Sequence, residues 1–253
     1  MRTRIRRAFA VAAVSALCLT AAACGDSDGE KKSVGESAGE RATDQPKDAP
    51  EDQPKDEPKD GASDAEPLTA AQMKAATATA QDLPAGFTKS GSTANDERFT
   101  ADKKECQPIV VFMGGAIDGA TIGGNVDFEG DGGNSLFSQQ VFTFSGGGAE
   151  DYTKAIGTAL ETCTAFSFTD EGDKTSVTVR KITAPKVGEE SHAFRLKMTA
   201  TGSPVTFEVD IVAARQGSGA TRFVFVPGDA AGHKSFDDLV KRVGDRFVRG
   251  AGS

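Results

Sequence analysis

Phe194-Arg195-Leu196-Lys197-Met198 and Val205-Thr206-Phe207-Glu208-Val209-Asp210-Ile211 are the two runs that decide the fold. Apolar and polar residues alternate through both, the period-two pattern of strands with one apolar face. Thr201 to Pro204 lies between them, a connection of hairpin size. Upstream, Val177 and Val179 alternate with Thr178 and Arg180, and downstream Phe223 and Phe225 continue the set after a second short connection, Gln216 to Ala220. A further strand is predicted over Leu136 to Phe144. One-sided alternation predicts an antiparallel sheet with one wet face.

Helical patterns flank these strands. Thr69-Ala70-Ala71-Gln72 reads as a capping box opening a helix to about Ala80, and Leu83-Pro84-Ala85-Gly86-Phe87 breaks the chain after it. A short helix is expected over Ala101 to Phe112, and the Gly-rich stretch Gly114 to Gly133 reads as turns. Tyr152, Ile156, Ala159, Leu160 and Cys163 share one face of a helix over Ala149 to Cys163, with Glu150 and Asp151 at its N-terminus. A last helix starts at Ser235, its expected cap, with Phe236, Leu239, Val240, Val243 and Phe247 as its apolar stripe. The predicted fold class is α+β: an antiparallel sheet with helices packed on one face, in one domain over residues 67–250.

The N-terminal quarter has a different character. Residues 1–23 read as a secretory signal: Arg2, Arg4, Arg6 and Arg7, then a short apolar run, then Ala21-Ala22-Ala23 before Cys24. Residues 25–66 carry 14 acidic and 6 basic side chains, with no Ile, Leu, Phe, Tyr or Met. Such a stretch cannot bury enough apolar surface to offset its ordering entropy, so residues 24–66 are expected to be a disordered, Pro-rich tether. The folded part keeps a small acidic excess and no basic stripe, so nucleic acid is not expected as a partner. The chain has no Trp and a single tyrosine, Tyr152, which leaves no supply of flat aromatic platforms for stacking sugars or bases.

Four cysteines occur. Cys18 leaves with the signal, and Cys24 ends the small-residue cleavage stretch. The remaining pair, Cys106 and Cys163, is expected to form a disulfide in an exported domain. No nucleophile elbow, phosphate loop or zinc-protease motif is present. Ser191 and His192 are strand neighbours whose side chains point to opposite faces, so they cannot act as nucleophile and base. His192 and His233 are read as surface or capping residues. Asp127, Glu129 and Asp131 before Gly132 mimic the start of a calcium loop, but Ser138 stands where the closing carboxylate belongs. No catalytic residue, metal or cofactor is assigned.

Two resemblances add to this reading. Ala21-Ala22-Ala23-Cys24 resembles a bacterial lipobox, with Ala21 in place of the usual Leu. That resemblance implies a diacylglycerol thioether at Cys24 and cleavage before it. Arg6-Arg7-Ala8-Phe9 is similar to a twin-arginine export motif, and the overall signal resembles actinobacterial ones. In the domain, Leu83 to Phe87, Asp102 to Pro108 with Cys106, and Gly188-Glu189-Glu190-Ser191-His192 resemble the PknH-like extracellular sensor domain of actinobacterial receptor kinases and lipoproteins. That family implies an α+β sensor with a ligand cleft and two disulfides. This chain has cysteines for one, and no kinase.

The resulting expectation is a lipid-anchored lipoprotein on the extracellular face of the cell membrane, acting as a non-catalytic binding or sensing module. Its expected partners are the membrane, through the lipid, and a small ligand or an envelope protein; a monomer is expected. The alternatives are a carrier of a hydrophobic ligand and an envelope hydrolase using scattered carboxylates such as Asp127, Glu189 and Glu190.

Overall fold

The alternating runs all become strands of one antiparallel sheet. In this computed structural model residues 66–91, 97–229 and 232–253 are described. The expected signal segment, Cys24 and the expected tether up to residue 65 lie outside them. The strands are β1 (Thr88–Lys89), β2 (Thr121–Gly130), β3 (Ser135–Thr143), β4 (Ala165–Asp170), β5 (Asp173–Lys181), β6 (Glu190–Ala200), β7 (Thr206–Gln216) and β8 (Gly219–Val226). Their order across the sheet is β1-β2-β3-β8-β7-β6-β5-β4. After β3 the chain crosses to the far edge, then returns strand by strand until β8 pairs with β3. The two quoted runs pair with each other, Met198 opposite Phe207, Leu196 opposite Val209 and Phe194 opposite Ile211.

The expected wet face is corrected at the centre of the sheet. Val209 to Ala214 of β7 is buried at every position. Val209, Ile211 and Ala213 join a core with Phe194, Leu196, Ile156 and the Cys106–Cys163 pair, whereas Val212 and Ala214 join a second core with Phe223, Val240 and Phe247. Successive strand residues point to opposite faces, so these two cores lie on opposite sides. Helices therefore cover both faces rather than one. α2 (Gln107–Val110) and α3 (Gly148–Thr162) pack on the first, and α1 (Ala70–Ala76) and α4 (Gly232–Ala251) on the second. The clue was Val212-Ala213-Ala214, where alternation stops and small apolar residues let the sheet be covered from both sides.

α1 has the capping box expected of it: Thr69 Oγ1 accepts from the Gln72 amide at 3.2 Å, and the Gln72 side chain accepts from the Thr69 amide at 2.8 Å. The helix ends at Ala76, four residues before the expected end. α1 is wedged into a slot lined by glycines. A Cβ on Gly123 would stand 2.3 Å from the Met73 side chain, one on Gly124 2.0 Å from Thr77 Oγ1, and one on Gly250 of α4 2.3 Å from the Ala76 amide nitrogen. The glycines of 114–133 were expected to make turns. Gly123, Gly124 and Gly130 instead sit in β2, where the first two make room for a helix.

α4 begins at Gly232, three residues before the expected cap. Asp229 Oδ1 accepts from the Gly232 amide at 3.0 Å, while Ser235 lies inside the helix and donates to the Gly232 carbonyl at 2.9 Å. Arg246 of α4 donates to Asp82 Oδ2, fastening the helix to the turn after α1. At the C-terminal end, Gln72 Nε2 donates to the Ser253 carbonyl at 2.6 Å. Among the described residues no helix is long and apolar enough to cross a membrane.

Candidate functional site

Arg222 is the most telling residue on the α3 side of the sheet. It sits on β8, only 5% exposed. Its guanidinium donates to the carbonyls of Val111 at 2.8 Å, Gly114 at 2.7 Å and Gly115 at 3.3 Å, and lies 5.8 Å from the Phe112 ring centroid. Among the described residues it bonds to no carboxylate. Burial holds its pKa below the usual arginine value, with a smaller opposing pull from Tyr152. These bonds draw the 111–115 segment over the sheet and shape one wall of a cleft.

α3 forms the other wall. Tyr152, one turn into the helix, packs edge-on against Phe142 at 5.2 Å and tilted against Phe144 at 5.9 Å. Its hydroxyl is buried and has no hydrogen-bond partner among the described residues. Burial pushes the phenol pKa well above its ordinary range, outweighing the opposing effect of Arg222, so the group stays a neutral donor.

Between these walls runs a cleft of about 860 Å³, lined by Phe99, Val111, Ile117, Phe144, Tyr152 and Ile156. That volume falls within the range of small-molecule sites. Charged residues stand only at its mouth, where Arg98 and Asp118 form an exposed ion pair and Glu97, Lys104 and Asp151 reach solvent. The first residue of α3, Gly148, also lines the cleft, and the N-cap Gly147 offers no side-chain cap.

The disulfide ties the two walls together. Cys106, in a single turn just before α2, bonds Cys163, the C-cap of α3, with Cα atoms 5.2 Å apart.

The other candidates are dispersed. Asp127 and Glu129 lie on strand β2 rather than in the expected turn. Carboxylates two apart on a strand project in parallel and do not converge on an ion. Asp131 falls in the turn after β2, and among the described residues no group of three or more His, Cys, Asp or Glu side chains could hold a metal. Glu189 and Glu190 sit at the start of β6, separated from β2 by β3, β8 and β7. At ordinary strand spacing that is about 19 Å, so the carboxylate trio proposed for a hydrolase is not assembled.

Glu190 is pinned structurally instead. It accepts from Thr153 at 3.0 Å and Arg215 at 3.2 Å and contacts His192 at 3.1 Å, while Arg215 also bonds Glu189. Burial works to raise the Glu190 pKa, but the bonds from Thr153, Arg215 and His192 outweigh it and hold the carboxyl below its usual value. Ser191 and His192 do point to opposite faces: Ser191 Oγ accepts from the Val187 amide at 3.1 Å, and the His192 ring rests on Gly157 of α3. His233, at the start of α4, contacts the fully buried carboxylate of Asp210 at 2.7 Å, which also takes a two-pronged bond from Arg195. These two histidines serve packing between helix and sheet.

The cleft itself was missed in the sequence because its walls come from segments some forty residues apart. One signal was available: a tyrosine on an apolar helix face needs a partner for its hydroxyl.

No protein-family model matches the chain, and no curated protein matches it. Among solved structures it is similar to the extracellular domain of PknH from Mycobacterium tuberculosis, with a TM-score of 0.55 and 10% identity over 74% of this chain and 98% of that one. An uncharacterized Mycobacterium smegmatis protein, the ortholog of Rv0999, aligns with a TM-score of 0.32 and 12% identity over 71% of this chain and 97% of that one. At such identities the likeness to the first speaks for architecture alone: this chain carries an α+β fold similar to that of the PknH extracellular domain.

Proposed function

We propose that the chain is a lipid-anchored extracytoplasmic lipoprotein whose domain is a non-catalytic binding or sensing module, and that its ligand occupies the cleft between α3 and residues 97–119. The observation that carries this reading is the cleft: about 860 Å³ with mainly apolar walls and charges confined to its mouth. A fold shared with an extracellular domain supports the compartment. The Ala21-Ala22-Ala23-Cys24 stretch supports the anchor.

The test is native mass spectrometry of the full chain after incubation with an organic extract of bacterial envelope and re-isolation. The unsubstituted chain should retain a bound small molecule, and Ala155→Phe should not, because Ala155 lines the cleft from an exposed helix position. No added mass on the unsubstituted chain, or equal retention by Ala155→Phe, would overturn the assignment of the cleft.

A further inference from the structure

We propose that the far end of the α3 side of the sheet docks a basic amphipathic segment of another protein, apolar at its centre and carrying lysine or arginine at both ends. This surface is separate from the cleft, and its test does not depend on what the cleft binds.

α2 and α3 cover only part of that face. Beyond them Leu136 of β3 is 44% exposed and Phe207 of β7 is 56% exposed. Val226 of β8 lies opposite Leu136, and Met198 of β6 lies opposite Phe207. Val226 and Met198 pack on the core of the α3 side. Alternation puts the other two on the same side, because Phe137 turns to the opposite core whereas Val209 and Ile211 turn to this one. At ordinary strand spacing the strip runs about 14 Å across four adjacent strands. Apolar residues exposed singly need no explanation, but a contiguous strip marks a contact surface.

Carboxylates stand at both ends of the strip. Glu129 of β2 is opposite Leu136, while Asp170 and Asp173, opposite each other on β4 and β5, lie beyond Met198. All three are exposed, and among the described residues none is taken up in an ion pair. Lys174 and Lys197 alternate to the other face, and Arg98 is already paired with Asp118. Glu129 and Asp173 are five strand spacings apart, about 24 Å. That is the length of a helix of about 16 residues.

The other occupants fit less well. An anionic membrane is repelled by this rim. The chain preceding the domain, and with it the proposed anchor, also joins at the opposite end of the sheet: Ser218, in the β7–β8 turn, donates to the Glu66 carbonyl at 2.5 Å. The length of β7, about 33 Å, separates that turn from the strip. A second copy would bring like charges together, and the strip offers on the order of 300 Å² against the roughly 800 Å² a side of a stable dimer. The acidic stretch 25–66 has no Ile, Leu, Phe, Tyr or Met to fill it.

The experiment titrates the full chain into three labelled helical peptides of about 16 residues, read by fluorescence anisotropy. One has a leucine stripe with lysines in its first and last turns, one has glutamates for the lysines, and one has serines for the leucines. The lysine–leucine peptide should bind at least about 10-fold tighter than either of the others. Its margin over the glutamate peptide should shrink as salt rises from about 0.05 M to about 1 M. Phe207→Ser, at an exposed position, should weaken it by at least about 10-fold, which separates the strip from attraction to the acidic 25–66 stretch. Glu129→Gln with Asp173→Asn should reduce the salt dependence.

Should Phe207→Ser fail to fold, Leu136→Ser on a different strand takes its place. Absence of binding, equal binding of the three peptides, or binding indifferent to both substitutions overturns the proposal. So does Phe207-dependent binding to phosphatidylglycerol vesicles without binding of the peptide, which assigns the strip to lipid. A Phe207-dependent dimer in sedimentation also overturns it and assigns the strip to a second copy.

Discussion

Replacing Cys106 and Cys163 together by Ala should lower the stability of the domain by about 4 kcal/mol. The two cysteines are 57 residues apart, and a closed loop of that size removes roughly 14 cal/mol/K from the unfolded chain, which is about 4 kcal/mol at room temperature. Both residues are buried, Cys106 fully and Cys163 to within 2%. Loss of the sulfur contacts adds to the entropic effect. For a domain of this size each kcal/mol moves the melting temperature by about 2–4 °C, so the expected drop is about 8–16 °C. The assay is scanning calorimetry of the oxidised chain, the chain reduced under denaturing conditions and refolded with reductant, and the double variant. The last two should both melt well below the oxidised chain, the double variant the lower because it also lacks the sulfur contacts. Melting within about 3 °C of the oxidised chain would refute the reasoning, as would two titratable thiols in the untreated native protein. Because the bridge joins the two walls of the cleft, the same change should weaken whatever the cleft binds, independently of stability measured far from it.

Asp210→Ala should destabilise the domain by about 3 kcal/mol in urea denaturation, because Arg195 and His233 lose the buried carboxylate between them. A change under about 1 kcal/mol would contradict that role. Gly250→Ala gains about 1 kcal/mol of helix propensity. It also drives a methyl group to 2.3 Å from the Ala76 amide nitrogen, and overpacking against backbone costs up to about 3 kcal/mol. A net loss in melting temperature is expected, and a gain would show that α1 can move aside. Glu190 has a folded pKa below its ordinary value. Its contribution is therefore present above the unfolded carboxylate pKa of about 4.3 and is lost as pH falls through the folded value. Glu190→Gln should flatten that part of the acid limb in a urea-midpoint profile measured from pH 6 downward, and an unchanged slope would remove Glu190 from the account.

Much of the sheet was legible because β5 and β6 keep one face against a core and the other open to water, as in Thr178 and Lys197. The centre was less so. There Val212 and Ala214 are buried by α4 on the face that alternation assigns to solvent, and no local pattern names the element that will cover it. β2 was hidden by Gly123 and Gly124, whose meaning depends on α1, some fifty residues upstream. β4 was overlooked although Phe166 and Phe168 alternate with Ser167 and Thr169 over its short length. The disulfide could be read from cysteine number and compartment. The cleft could not, since Arg222 shapes it through carbonyls more than a hundred residues away. Of its residues only Tyr152 stood out, and its apolar helix face suggested a packed ring rather than a cleft wall.

The hydrogen bond between Gln72 and Ser253 brings the two ends of the folded region to one spot. The domain is thus nearly a closed ring in connectivity. A few residues could join Ser253 to Glu66, and the ring could then be reopened at the exposed Thr201-Gly202 hairpin to give a circular permutant of unchanged core. For the same reason the domain could be spliced into a surface loop of another protein through two attachment points a few residues apart. A host carrying it would have an insert whose ends leave side by side, so that its own backbone need not be prised open to accommodate the guest.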